Sequence, residues 1–101
     1  MDKLGILALL HAKAGKEKEV EQFLALAQPL AERETGTTSW YAIKFGPAQY
    51  GIFDTFKDEN GRNAHLSGEI AKALVAKAAD LFDSPPQIEK LEILAAKAPA
   101  A

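Results

Sequence analysis

The sequence has 101 residues and no cysteine, and its 12 basic and 14 acidic residues leave a formal net charge of −2. This length fits one domain, and the lack of cysteine excludes disulfides, thiol nucleophiles and thiolate metal sites. The charge offers no basic surface, no apolar run reaches the ~20 residues of a membrane span, and the first residues lack a signal-peptide pattern. We therefore expect a cytoplasmic protein with neither nucleic acid nor membrane as a partner.

The first half of the chain predicts a strand, a helix and a hairpin. Residues 4–12 form an apolar run of strand length in which both alternating faces are apolar. Residues 15–34 carry an apolar stripe at helical spacing, and we expect Gly36 to cap this helix. Residues 37–45 and 50–56 are rich in β-branched and aromatic residues and flank a Gly-Pro turn, which predicts a β-hairpin.

The second half predicts two helical segments and a last strand. Asp58 is the expected N-cap of a short helix through Leu66. Residues 70–82 predict a second main helix stopped by a Pro-Pro pair, and residues 88–94 predict a strand. The order β-α-β-β-α-β is the ferredoxin-like arrangement, an α+β fold with one antiparallel sheet and both helices on one face. We expect one domain, residues 1–96, and a short tail, 97–101.

The apolar strands also predict an assembly. Two helices cover one face of such a sheet, yet the first and third strands are apolar on both faces. The uncovered face would be a large exposed apolar patch on a monomer. We therefore expect a homodimer in which the two sheets pack face to face.

Two titratable residues are candidates for proton transfer. His65 is either a partly buried helix histidine bonded to a backbone carbonyl or a proton carrier at the mouth of a pocket. Asp54 interrupts an apolar strand, where a carboxylate is costly unless paired, and Lys44 or Arg62 are its candidate partners. Alternatively, Asp54 acts as a base. Neither His65 nor His11 has a second histidine at i+3 or i+4, so no metal site is expected.

Aromatic and polar side chains nearby are candidates for binding a flat ligand. Trp40 and Tyr50 each carry a polar group and either pack in the core or line a pocket. Asn63 can bond a carbonyl or a phenol, and Arg62 either neutralises an enolate or remains a surface residue. The sequence has no G-x-S-x-G, P-loop or G-x-G-x-x-G motif, so serine hydrolysis, nucleotide hydrolysis and Rossmann-type redox chemistry lack support.

Three segments resemble the antibiotic biosynthesis monooxygenase domain, a family of dimeric α+β barrels of about this length. They are residues 36–41 (GTTSWY), 53–58 (FDTFKD) and 64–68 (AHLSG). The family shows an acidic residue two positions before an aromatic one near the end of the third strand, and Ala-His-Leu in the next helix. Asp54, Phe56 and His65 match these positions. The aromatic residue is commonly Trp, and Phe56 keeps the packing but lacks the N–H donor.

The resemblance implies a cofactor-independent monooxygenase that oxidises a small quinol- or anthrone-like aromatic with dioxygen. It implies His65 and Asp54 as catalytic residues, in a pocket between sheet and helices. The substrate-binding residues would be Trp40, Tyr50, Asn63, Arg62 and Phe56. Haem-degrading relatives carry an asparagine in the first strand and a ligating histidine where Ile70 stands, so haem is disfavoured and no cofactor is expected. Two alternatives stay open: a non-catalytic barrel that binds a small hydrophobic molecule, and a dimerisation module with a filled core.

Overall fold

A computed structural model describes residues 2–98 of the chain. In chain order the elements are β1 (Leu4–His11), α1 (Glu17–Glu32), β2 (Thr37–Lys44), β3 (Gln49–Phe56), α2 (Glu59–Leu66), α3 (Glu69–Leu81) and β4 (Gln87–Glu92). The strands form one sheet in the order β2-β3-β1-β4, with every neighbouring pair antiparallel. This is the α+β, ferredoxin-like arrangement predicted from the sequence. Of the predicted tail, residues 99–101 lie outside the described residues.

One face of the sheet packs under the helices. Alternate side chains of β1 on this face, those of Ile6, Ala8 and Leu10, are almost fully buried. They lie opposite Asp54, Ile52 and Tyr50 of β3. The helical stripe of α1 covers them with buried side chains at i, i+4, i+7 and i+11, which are those of Val20, Leu24, Ala27 and Ala31. Asp54 therefore lies inside an otherwise apolar layer.

No helix among the described residues covers the other face of the sheet. Leu7, Leu9 and Phe53 are half-buried on this face. Tyr41 and Ile43 from β2 are 55% and 40% exposed there. The prediction that the central strands are apolar on both faces is therefore confirmed, and one face remains open on the single chain. No helix within residues 2–98 combines the length and apolar character needed to cross a membrane.

The predicted cap of α1 is wrong. The helix begins after Gly15, whose φ of +84° is a left-handed conformation that side chains rarely adopt. It ends at Glu32, and Arg33 follows in the right-handed region. Gly36 therefore lies beyond the helix end and has a different role, in the contact between β2 and α2.

The later boundaries follow the sequence with two differences. Asp58 caps α2 as expected, since its Oδ1 accepts a hydrogen bond from the backbone N–H of Gly61 at 2.8 Å. Phe82 was expected in the last helix but has an extended backbone and forms a bridge with Ala12. Its buried ring satisfied the helical periodicity, while its backbone pairs with the end of the sheet. The last strand, Gln87–Glu92, ends two residues before the predicted end.

Candidate functional site

His65 lies between two carboxylates. Its Nδ1 is 2.7 Å from Oε1 of Glu34, and its Nε2 is 2.9 Å from Oδ2 of Asp54. The side chain of Asp54 is fully buried and that of His65 is 9% exposed. Because each ring nitrogen lies close to a carboxylate oxygen, the arrangement suits the protonated imidazolium, which carries an N–H on both nitrogens.

The charge partner of Asp54 differs from the sequence-based expectation. Lys44 instead forms an ion pair with Glu21, and Arg62 forms one with Glu59, each at 2.9 Å. Neither oxygen of Asp54 has a hydrogen-bond partner among residues 2–98, so its contact with His65 is an ion pair. A buried carboxylate without a counter-charge costs several kcal/mol. The imidazolium of His65 is therefore what stabilises Asp54 in the core.

The surroundings of His65 favour its charged form. Burial lowers the pKa of His65, but the contacts and negative charges of Asp54 and Glu34 outweigh burial and raise the pKa above its ordinary value of 6.5. His65 consequently stays cationic to higher pH than a free histidine. With His65 protonated and both carboxylates ionised, the three side chains carry a net charge of −1.

Glu34 belongs to this cluster although the sequence analysis did not single it out. It lies in the turn between α1 and β2, where its Oε1 also accepts the hydroxyl of Thr37 at 2.7 Å. The turn reaches α2 because Gly36 and Gly61 have no side chains. A Cβ on Gly36 would lie 2.5 Å from the Cα of Gly61. Gly36 and Gly61 are far apart in the sequence, and their contact forms only in the folded chain. No local sequence pattern therefore identified Glu34 as a neighbour of His65.

The cluster borders a cleft of about 410 Å³. The cleft lies between the end of α1, the start of β2 and the facing ends of α2 and α3. Its charged lining residues are Arg33, Glu34, His65 and Glu69. The side chain of Glu34 is 19% exposed, about twice the exposed fraction of His65. Glu34 is therefore the member of the cluster that a molecule in the cleft can reach most easily.

Three other predicted site residues lie on or near α2. The ring of Phe56 packs against His65 with centroids 5.2 Å apart. Arg62 is buried and donates to the backbone carbonyls of Gly5 and Leu91, so it fastens α2 to the sheet. Asn63 is exposed and does not line the cleft.

The remaining two predicted residues line a different space. Trp40 and Tyr50 border a groove of about 540 Å³ between α1 and β2. Tyr50 lies four residues before Asp54 on β3, which places it about 13 Å away along the strand. The structure thus brings together His65, Asp54 and Phe56, and leaves Trp40 and Tyr50 outside the cleft. No group of acidic, histidine or cysteine side chains within residues 2–98 is arranged to hold a metal ion.

Comparison with known proteins identifies a close relative. No family model and no curated protein matches the chain. Among solved structures, the crystal structure of NE2512, a protein of unknown function from Nitrosomonas europaea, is 57% identical. Its TM-score is 0.96, and the match covers 100% of this chain and 98% of that chain. The chain belongs to the same family as NE2512.

More distant solved structures share the fold of this family. A putative antibiotic biosynthesis monooxygenase from Nitrosomonas europaea is 14% identical with a TM-score of 0.81, over 91% of this chain and 99% of that chain. Rv0793 from Mycobacterium tuberculosis is 12% identical with a TM-score of 0.84, over 95% and 99% of the two chains. The resemblance indicated by the sequence motifs is thereby confirmed at the level of the fold.

Proposed function

We propose that this protein is a cofactor-independent monooxygenase that oxidises a small quinol- or anthrone-like aromatic with dioxygen. The observation that carries the proposal is the cluster of Glu34, His65 and Asp54 beside the cleft. A net negative cluster with an accessible carboxylate is suited to take a proton from an acidic hydroxyl or activated methylene group. The fold shared with proteins named as antibiotic biosynthesis monooxygenases supports the same reaction class.

The chemistry requires no bound cofactor once the substrate is deprotonated. For an anthrone, loss of a methylene proton gives an electron-rich anion that passes one electron to dioxygen. The resulting radical pair forms a C–O bond, and the peroxide takes up a proton and loses water to leave a carbonyl. One oxygen atom ends in the product and the other in water, so no external reductant is consumed.

The geometry suggests a division of roles within the cluster. Glu34 takes the proton because it is the most exposed of the three. His65 holds Glu34 through Nδ1, and its positive charge stabilises the anion that develops in the cleft. Asp54 orients His65 and keeps it protonated. These roles differ from those inferred from sequence, which gave proton transfer to His65 and Asp54, because neither ring nitrogen of His65 is free to accept a proton.

Dioxygen uptake by the purified, metal-free protein tests the proposal. A panel of anthrones, quinols and naphthols would be assayed with the wild type and with Glu34→Gln. We expect Glu34→Gln to lower the rate at least tenfold, about 1.4 kcal/mol of barrier. Glu19→Gln, the same change at an exposed position of α1 away from the cleft, should leave the rate unchanged.

One outcome would count against the role of Glu34, and another would count against the function itself. Uptake that Glu34→Gln leaves unchanged would remove Glu34 from the chemistry. Uptake no faster than the uncatalysed reaction across the panel would favour the alternative, a non-catalytic barrel that binds a small hydrophobic molecule.

One observation supports that alternative: a groove of about 350 Å³ between α1 and α3 has Lys77 as its sole titratable lining residue. Equilibrium binding of an apolar dye without dioxygen uptake would be its signature.

A further inference from the structure

The carboxylate of Glu34 has one hydrogen-bonded oxygen and one free oxygen. Oε1 lies 2.7 Å from Nδ1 of His65 and accepts the hydroxyl of Thr37, also at 2.7 Å. Oε2 accepts no hydrogen bond from residues 2–98. It is also not one of the buried side-chain oxygens of this part of the chain that lack a partner. Oε2 is therefore the oxygen that is open to solvent in the cleft.

The turn at Gly68, between α2 and α3, lies next to this free oxygen. A Cβ on Gly68 would lie 3.4 Å from Oε2 of Glu34. Gly68 lines the cleft, and its lack of a side chain leaves this side of the oxygen uncovered. The free oxygen of Glu34 thus has a defined place, at the α2–α3 turn.

Thr37 supplies one of the two contacts that hold Oε1. With a single contact, the carboxylate could swing about that contact, because the last torsion of a glutamate side chain is broad. The hydroxyl of Thr37 and the ring of His65 reach Oε1 from two different elements, β2 and α2. Thr37 is β-branched, so few rotamers are open to its hydroxyl. The two contacts together fix the carboxylate and therefore the position of Oε2.

We propose that Thr37 is a positioning residue, and that Oε2 is the oxygen of Glu34 that takes the proton from the substrate. This inference rests on the proposed function, in which Glu34 is the base. The O–H or C–H bond of the substrate breaks, its electron pair stays on the substrate, and the proton bonds to Oε2. Thr37 acts through Glu34 and not on the substrate. A base that is already held in place loses little freedom when the reaction begins.

NMR of the free protein tests whether Thr37 holds Glu34. Thr37→Val removes the hydroxyl and keeps the branched shape of the side chain. The two γ protons of Glu34 should give separate signals in the wild type, because a fixed side chain places them in different surroundings. These signals should draw together in Thr37→Val and separate again in Thr37→Ser, which keeps a hydroxyl. A wild-type separation in Thr37→Val would overturn the positioning role.

Dioxygen uptake tests the consequence for catalysis. We expect Thr37→Val to lower kcat by about tenfold or more and to change KM by less than about twofold, because the hydroxyl orients the base and does not bind the substrate. Thr37→Ser should recover most of the lost kcat. In a chain that already carries Glu34→Gln, Thr37→Val should cause no further loss, since the two residues act as a unit.

Thr38→Val is the matched control for the loss of a hydroxyl. Thr38 is the next residue of β2, its hydroxyl lies 2.8 Å from that of Thr55, and it does not line the cleft. This variant should leave kcat and the signals of Glu34 unchanged. Equal falls in kcat for Thr37→Val and Thr38→Val, or no recovery in Thr37→Ser, would overturn the proposal because the contact with Glu34 would not be the cause.

The same measurements distinguish a failure of this inference from a failure of the proposed function. A wild type without uptake would overturn the oxygenase, and the NMR comparison would still decide whether Thr37 holds Glu34. Uptake that Glu34→Gln abolishes and Thr37→Val leaves unchanged would keep the oxygenase and overturn the role of Thr37. Uptake that Thr37→Val lowers and Glu34→Gln does not would overturn Oε2 as the proton acceptor.

Discussion

Replacing His65 with alanine removes the cation that contacts the buried carboxylate of Asp54. Breaking a buried ion pair by deleting one partner leaves an uncompensated charge and typically costs about 3–5 kcal/mol. We expect His65→Ala to lower the free energy of unfolding by that amount in urea titrations at pH 6.5. His11→Ala is the matched control, since His11 pairs with Asp83 at a half-exposed position and should cost less than about 1 kcal/mol.

A second substitution tests whether the charge of Asp54 causes the loss. Adding Asp54→Asn to His65→Ala removes the unpaired charge and should recover part of the lost stability. If His65→Ala costs no more than His11→Ala, Asp54 is not held as a buried anion by His65.

The raised pKa of His65 also sets the direction of a pH effect on stability. In the unfolded chain His65 titrates near 6.5, and in the folded chain its pKa is higher. Its contribution is therefore complete below about pH 6.5 and is lost as the pH rises through the folded-state pKa. We expect the stability difference between the wild type and His65→Gln to shrink between pH 6 and pH 9, measured by urea midpoints. A difference that stays constant over this range would contradict the raised pKa.

At the scale of single residues, the sequence identified part of the cluster. Asp54, Phe56 and His65 could be named because they match short motifs on neighbouring elements. Glu34 could not, because it meets His65 across 31 positions of sequence and only in the folded chain. The same reason explains why Lys44 and Arg62 were wrong partners for Asp54. The sequence shows that their charge is opposite to that of Asp54, but it does not show where their side chains point or how far from Asp54 they lie.

The contact between the start of β2 and α2 sets the position of Glu34 relative to His65. Gly36→Ala would place a Cβ 2.5 Å from the Cα of Gly61 and force the two elements apart. We expect a loss of stability of about 1–3 kcal/mol. We also expect the pKa of His65 to fall toward its ordinary value as Glu34 moves away. Urea titration and an NMR titration of the His65 ring measure these two effects.

Gly15→Ala separates this effect from the general cost of replacing a glycine. A Cβ at Gly15 meets nothing within 4 Å, so its cost is the strain of the left-handed backbone, about 1–2 kcal/mol. The pKa of His65 should not change in this variant. If Gly15→Ala also lowers the pKa of His65, the pKa responds to a general loosening of the fold and not to the contact between Gly36 and Gly61.

At the scale of elements, several kinds of sequence pattern predicted the helices and strands, while tertiary contacts decided several of their ends. The α1 stripe identifies its helix because burial repeats every 3.6 residues, and the β-branched and aromatic residues around the Gly-Pro turn identify the hairpin. The prediction of Gly36 as a cap is wrong because glycine is favoured both in left-handed turns and where two backbones come close together. The sequence alone does not distinguish these two situations. Phe82 failed as a helical residue because its backbone pairs with Ala12.

For the whole molecule, the open face of the sheet is an apolar surface that no helix within residues 2–98 covers. Leu7, Leu9 and Phe53 lie at its centre, and the rings of Tyr41 and Phe53 stack with centroids 6.5 Å apart. A contiguous apolar face of this kind is unfavourable in water and is typical of an interface. A second copy related by a two-fold axis would present the same face and bury both. This remains our proposal for the partner of the chain.

Light scattering at micromolar concentration tests this assembly, and we expect the mass of two chains for the wild type. Phe53→Lys places a charge at the centre of the face, where burial without a counter-charge costs several kcal/mol, so we expect a monomer. Val75→Lys adds the same charge on α3, where Val75 is 77% exposed, and should remain dimeric. A monomeric wild type would mean that water is tolerated on this face, and a dimeric Phe53→Lys would place the interface elsewhere. Either result would show that strands with apolar residues on both faces, from which the dimer was predicted, do not indicate a sheet-to-sheet interface in this protein.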